Sequence, residues 1–136
     1  MEFVHVCTVR AELSRIRSFF KNPQNLLKIT PFGTFMTIQP SEDLYNGMKL
    51  NLKLFGITLM ESLIKDLGPD GFTDVAIGKP PLINYWEHRH LIMPRGSSTV
   101  IEDHLYVKSP VPDALLRPLF RIIFSYRCRK IRDLMR

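Results

Sequence analysis

Residues 85–108 read YWEHRHLIMPRGSSTVIEDHLYVK, two alternating runs on either side of a Pro94-Arg95-Gly96-Ser97 turn. Successive side chains of a strand point to opposite faces, so Trp86, His88 and His90 share one face while Tyr85, Glu87 and Arg89 share the other. The charged set is expected to face water. Two registers satisfy the turn. A four-residue turn over Pro94 to Ser97 sets His88 opposite Asp103 and Trp86 opposite Leu105. A two-residue Gly96-Ser97 turn sets Asp103 opposite His90 instead. Either register brings a carboxylate beside an imidazole, with β-carbons about 5 Å apart.

Upstream of this hairpin the same punctuation recurs at short intervals: Tyr45-Asn46-Gly47, Phe55-Gly56, Gly68-Pro69-Asp70-Gly71 and Gly78-Lys79-Pro80-Pro81. Runs between the turns alternate, as in Met48, Leu50, Leu52 and Leu54 interleaved with Lys49, Asn51 and Lys53. Six strands of a half-buried antiparallel meander are expected between Thr34 and Lys108. The N-terminal run Phe3 to Val9 reads as a further strand. From Ala11 to Phe20 the apolar spacing turns helical, with Leu13, Ile16, Phe19 and Phe20 on one side. Asn22-Pro23 opens a second short helix that runs to Lys28, where Thr30-Pro31 stops it.

Downstream, Pro110-Val111-Pro112 ends the meander, and Pro118 is the expected first residue of a long helix reaching Leu134. On that helix Leu116, Leu119, Phe120, Ile123, Ile131 and Leu134 form an apolar stripe. Arg127 falls in its middle, whereas Arg121, Arg129, Arg132 and Arg136 fall on the opposite side. A buried arginine keeps its proton and must find acceptors; Asp103 and Asp74 are the carboxylates expected on the facing sheet. The expectation is a buried polar cluster of Arg127, Asp103, His88 and His90 beside an apolar lining. Trp86, Phe72, Phe120, Phe124, Tyr126 and Met60 would supply that lining.

Composition fits one globular domain over 1–136, since 45% of the 136 residues are apolar and 24% charged. The order β-α-α-β6-α implies an α+β fold, a curved seven-stranded antiparallel sheet around a long C-terminal helix. Curvature would hold the two layers apart and leave a cavity, with the short helices plugging one end.

The net charge of +6 is carried by the last twenty residues, where seven basic groups face Asp133 alone. A solvated helix face explains this charge better than a nucleic-acid or anionic-membrane surface. Cys7 and Cys128 are expected to be two reduced, buried thiols in a cytoplasmic protein, too far apart in sequence for a disulfide framework. No signal peptide and no membrane-spanning run is read in the chain. A Gly-rich phosphate loop and a Gly-x-Ser-x-Gly turn are both absent, so no nucleophilic residue is assigned. His88, His90 and Asp103 could imitate a two-histidine, one-carboxylate metal triad, but without an evident fourth donor no metal and no other cofactor is expected.

Several strings also carry a resemblance. Asn22-Pro23-Gln24-Asn25-Leu26, Thr30-Pro31, Leu54-Phe55-Gly56, Phe72-Thr73-Asp74, Gly78-Lys79-Pro80, Trp86-Glu87-His88-Arg89-His90, Thr99 to Asp103 and Ile123-Phe124-Ser125-Tyr126-Arg127 occur in an order that resembles the SRPBCC superfamily. The nearest branch is its small bacterial ligand-binding proteins related to polyketide cyclases. The resemblance implies the helix-grip fold shared with START domains, with a cavity for apolar molecules and no assigned chemistry. The sequence departs from the pattern between Asp74 and Trp86, which is about two residues longer, and between Pro110 and Arg121, which is shorter, so the pocket mouth is expected to differ.

The first functional expectation is therefore binding of a small hydrophobic or amphipathic molecule between sheet and helix, without enzymatic activity. A cyclase or aromatase using His88 or His90 with Asp103 is the second, and salt-dependent binding through the basic helix the third.

Overall fold

The computed structural model describes residues 1–78 and 80–136, so Lys79 of the expected Gly78-Lys79-Pro80-Pro81 turn lies outside the described residues. Strand β1 (Glu2–Val9) leads into helices α1 (Leu13–Lys21) and α2 (Asn25–Lys28), and a short 3-10 turn covers Gly33–Phe35. Strands β2 (Met36–Gln39), β3 (Lys49–Leu54), β4 (Ile57–Gly68), β5 (Gly71–Ala76), β6 (Tyr85–Arg95) and β7 (Ser98–Lys108) follow, and α3 (Asp113–Leu134) ends the chain. All strand pairs are antiparallel, in the spatial order β1-β7-β6-β5-β4-β3-β2. The meander thus pairs neighbour with neighbour, and β1 closes beside β7.

Turn chemistry sets these pairings. Phe55 and Gly56 both take positive φ, 51° and 79°, the backbone that a two-residue hairpin between twisted strands requires. Gly71 is fixed by close approach as well as by φ, because a β-carbon there would sit 1.8 Å from the His90 carbonyl oxygen. At the β6–β7 hairpin the two-residue Gly96-Ser97 turn prevails, with Arg95 opposite Ser98, His90 opposite Asp103 and Trp86 opposite Val107.

Two details of the last helix differ from the sequence reading. It begins at Asp113, and Pro118 lies inside it. The proline removes one helical hydrogen bond to the Ala114 carbonyl, but both residues are solvent-exposed, so water can take the freed acceptor. The helix is also turned from the expected stripe. Leu116, Phe120, Phe124, Cys128 and Ile131 are buried, while Leu119 and Leu134 are 49% and 43% exposed.

That rotation presents Cys128 to β1, where Cys7 occupies the inner face. The two cysteines form a disulfide with Cα atoms 5.8 Å apart, across a sequence separation of 121 residues. The expectation of two free thiols is corrected here: distance along the chain says nothing about distance in space once the first strand packs on the last helix. No helix of the described residues is long and apolar enough to cross a membrane.

The apolar core is in two pieces. Cys7, Val9, Ile16, Phe20, Ile29, Ile92, Ile101 and Ile131 belong to one, at the α1 end of the sheet. Phe3, Leu105, Val107, Leu116, Phe120 and Phe124 make the other. Polar residues occupy the sheet between them.

Reducing the disulfide, or combining Cys7→Ser with Cys128→Ser, should lower stability by about 2–5 kcal/mol, because the cross-link closes a loop spanning most of the chain. Urea unfolding with and without dithiothreitol measures this, and an unchanged midpoint would mean that the cross-link does not stabilise the fold.

Candidate functional site

Strand register builds the site from two adjacent cross-strand rows on the inner face. One row runs His5, Asp103, His90, Phe72 across β1, β7, β6 and β5; the next runs Phe3, Leu105, His88, Asp74, Ile64 from β1 to β4. Each polar residue follows from alternation, being two positions from an apolar neighbour on the same face. The two rows interlock diagonally, a reach that long side chains on twisted strands can make. Asp103 has His90 as its directly opposed neighbour, yet its hydrogen bond runs to the diagonal His88, Nε2 to Oδ1 at 2.8 Å. His90 Nε2 bonds Asp74 Oδ2 at 2.9 Å. The other ring nitrogens complete the lattice at longer range: His88 Nδ1 is 3.6 Å from Asp74 Oδ2 and His90 Nδ1 is 3.5 Å from Asp103 Oδ1.

Aromatic packing holds the imidazoles in place. Their ring centroids are 3.6 Å apart, Phe72 stacks on His90 at 4.3 Å, and Trp86 and Phe124 meet His88 edge-on. The Trp86 indole donates to Asp74 Oδ1 at 3.1 Å. Asp103, His88 and His90 are 4% exposed or less.

Such burial costs charged groups dearly unless they are paired. Burial raises the Asp103 carboxyl, but the nearby Arg127 charge, the His88 hydrogen bond and the two imidazoles more than reverse this and hold it well below the ordinary carboxylate range. Burial likewise raises the Asp74 carboxyl, and His90, His88 and Trp86 bring it below its usual value. His90 moves the other way from a typical carboxylate-paired histidine. Burial and the charge of His88 outweigh Asp74 and Asp103, and its pKa is pushed down to about 4.

Arg127 reaches the site from α3 but makes no ion pair within 4 Å among the described residues. Its guanidinium lies 4.9 Å from the centre of the Phe124 ring, and its buried Nε has no hydrogen-bond partner. The expected direct pairing with Asp103 or Asp74 is therefore absent, because Phe124, one turn earlier on the same helix, takes the guanidinium face. Arg127 acts on Asp103 through the field alone.

A cavity of about 310 Å³ opens between the sheet and α3 over this cluster. Leu26 and Leu27 of α2 close one end; Leu50, Leu52, Met60, Phe120, Ile123 and Phe124 supply apolar wall, and Asp74, Trp86, His88, His90 and Arg127 the polar end. Of the sequence-expected residues, Phe72, Trp86, His88, His90, Phe120, Phe124 and Arg127 all reach it, whereas Asp103 stands behind the imidazoles. Tyr126 does not line the cavity; its ring lies instead under the Lys130 ammonium. A separate, more open depression of about 430 Å³ lies between α1 and the β4–β5 turn and shares with the inner one only Leu44 and Phe72.

The sequence reading gave Asp74 only as an acceptor for Arg127 and passed over His5. Both were signalled by alternation, Asp74 with Phe72 and His5 with Phe3 and Cys7. The exposed side of α3 carries Arg121 and Arg129, while Arg132 donates to the Thr8 carbonyl and Arg136 lies 3.6 Å from Asp133.

Solved structures share this arrangement along nearly the whole chain. A START superfamily protein from Mycobacterium smegmatis superposes with a TM-score of 0.73 at 15% identity, covering 98% of this chain and 96% of that one. The chain has the START-like helix-grip fold. XoxI from Bacillus cereus shares the helix-grip architecture with a TM-score of 0.77 at 14% identity, over 98% of this chain and 94% of its own. The Aha1 dimer from Colwellia psychrerythraea gives 0.76 at 12% identity, over 99% and 96%. No protein-family model matches the chain, and no curated protein matches it by sequence.

The polar layer makes the helix-grip domain acid-sensitive. Unfolded histidine takes a proton near pH 6.5 and folded His90 only near 4, so the unfolded state binds more protons between these values and stability must fall as pH drops through them. His5, also held low by burial, adds to the same limb. Asp103 and Asp74 contribute stability that is present above the ordinary carboxylate pKa and is lost at more acid pH. Thermal midpoints of the wild type should fall between about pH 6.5 and 4, and His90→Gln should flatten that limb. Parallel profiles for the two proteins would contradict the assignment.

Proposed function

We propose that the protein binds a small hydrophobic or amphipathic molecule in the cavity between the antiparallel sheet and the C-terminal helix. The observation that carries this is the wall itself: a hollow of about 310 Å³ that is mostly apolar and carries its ionisable groups at one end, where Arg127 keeps a buried donor without a partner. Pockets of this size and composition suit drug-sized ligands. Removing apolar surface from water stabilises the complex by about 25 cal/mol per Å². Arg127 and the Asp–His lattice orient one oxygen-bearing end. Affinity thus comes from the apolar wall and selectivity from the polar end.

Trp86 is the protein's one tryptophan and lines the cavity, which gives a direct readout. 11-Bromoundecanoic acid should quench its fluorescence saturably at one molecule per chain. Arg127→Met should weaken that binding at least tenfold, the size of a lost charge-assisted hydrogen bond, while quenching by uncharged 1-bromodecane changes little. Linear, unsaturable quenching by both probes would refute the reading.

A second reading rests on the 2.8 Å bond between His88 and Asp103 in the cavity wall, the orienter-and-base geometry that a cyclase or aromatase would need. It requires that His88→Gln leave probe binding intact and abolish turnover of a polyketide-type substrate. Equal turnover in both proteins would remove it.

A further inference from the structure

We infer that Asp74, His88 and His90 form a binding site for one divalent first-row transition-metal ion, with Asp103 as the shared hydrogen-bond acceptor behind both histidines. This rests on the side-chain lattice alone and stands whether or not the cavity takes an organic molecule.

Donor geometry comes first. Two ligand atoms about 2.1 Å from a common ion lie roughly 3 to 3.5 Å from each other. Asp74 Oδ2 is 2.9 Å from His90 Nε2 and 3.6 Å from His88 Nδ1, and one donor atom from each residue falls within a common span of 4.8 Å. Among the described residues no other group of three histidine, cysteine, aspartate or glutamate side chains converges in this way. The strands fix these positions, since β5 and β6 are paired with Asp74 opposite His88 and Phe72 opposite His90.

Proton counting comes second and concerns which ring nitrogens carry hydrogen rather than how far apart the donors lie. A neutral imidazole has one N–H, yet each ring here faces a carboxylate at both nitrogens. When His88 donates from Nε2 to Asp103, its Nδ1 lone pair points toward Asp74. When His90 donates from Nε2 to Asp74, its Nδ1 lone pair points toward Asp103, and this nitrogen is buried with no hydrogen-bond partner. Two lone pairs are thus set against two anions. A cation held by Asp74 Oδ2, His88 Nδ1 and His90 Nε2 removes both conflicts. The proton of His90 moves to Nδ1 and faces Asp103, so each ligating ring then offers its remaining N–H to that carboxylate. Metal-bound histidines are held in this way by their outer partners. Trp86, donating to Asp74 Oδ1, leaves Oδ2 for the ion.

The donor set also selects the ion. Two imidazoles and a carboxylate suit zinc and its first-row neighbours rather than magnesium or calcium, which prefer oxygen. Three protein ligands leave a position open, and Asp74 lines the cavity, so ion and water can enter from there.

The test is titration of the chelator-treated 136-residue chain with Zn²⁺ alone, read by equilibrium dialysis and by the ring ¹⁵N resonances of its four histidines. One ion per chain is expected, with His88 Nδ1 and His90 Nε2 moving to metal-bound shifts while His5 and His104 stay put. Asp74→Asn should weaken binding at least 100-fold, and Asp103→Asn about 10- to 100-fold, as expected of an outer partner. Should either variant fail to fold, the wild-type ¹⁵N shifts decide alone. Unmoved His88 and His90 resonances, or ions bound through His5 or His104, would overturn the site and leave a proton as the charge facing Asp74.

Discussion

The interior is arranged around one electrostatic constraint: two carboxylates and two imidazoles on adjacent cross-strand rows, with Asp103, His88 and His90 buried and Asp74 partly open to the cavity. Buried charge is tolerated only when partners surround it, and removing one partner typically costs more than the pair contributes. The lattice therefore fixes register. A one-residue slip of β6 against β5 or β7 would send His88 and His90 to the outer face and leave Asp74 and Asp103 without donors. The two apolar clusters stabilise the fold on either side, but they would tolerate rearrangement better than the polar layer between them.

The cavity follows from the same layer. Long apolar side chains could have filled the space above β5 and β6, whereas short aspartates and flat imidazoles leave it open. Phe124 closes over His88 from α3, and the guanidinium of Arg127 lies against that ring rather than descending onto a carboxylate. Its charge is felt by Asp103 without contact. A donor held this way is what the proposed amphipathic occupant would meet at the polar end of the apolar wall. The disulfide between β1 and α3 pins the far end of the helix to the sheet, so the cavity lies between a covalently tied end and the Pro112 end.

Much of this was legible in the sequence because local rules act on it strongly. Alternation in 85–108 assigns Trp86, His88 and His90 to one face, and spacing alone singles out Arg127. Alternation admits two registers, and the Gly96-Ser97 turn decides between them. Other features were not legible, for identifiable reasons. The Cys7–Cys128 bond depends on tertiary closure, which no spacing rule reports. Pro118 reads as a helix start because local preference ignores water at an exposed carbonyl. The buried stripe on α3 is rotated by about 60° from the expected one, because wheel arithmetic counts Leu119 and Leu134 as fully as Phe120, whereas packing buries Phe124 and Cys128 instead. Asp74 is expected from the sequence only as an acceptor for Arg127, and its place opposite His88 follows from the pairing of β5 with β6.

The central claim is that the space between sheet and helix is hollow. Methyl NMR under xenon pressure tests it most directly, because xenon enters apolar cavities and leaves close-packed regions untouched. Saturable shifts at Leu52, Met60 and Ile123, with Ile16 and Ile101 unmoved, are the predicted result. Unchanged methyl resonances at all five positions would show a solid interior and contradict the account.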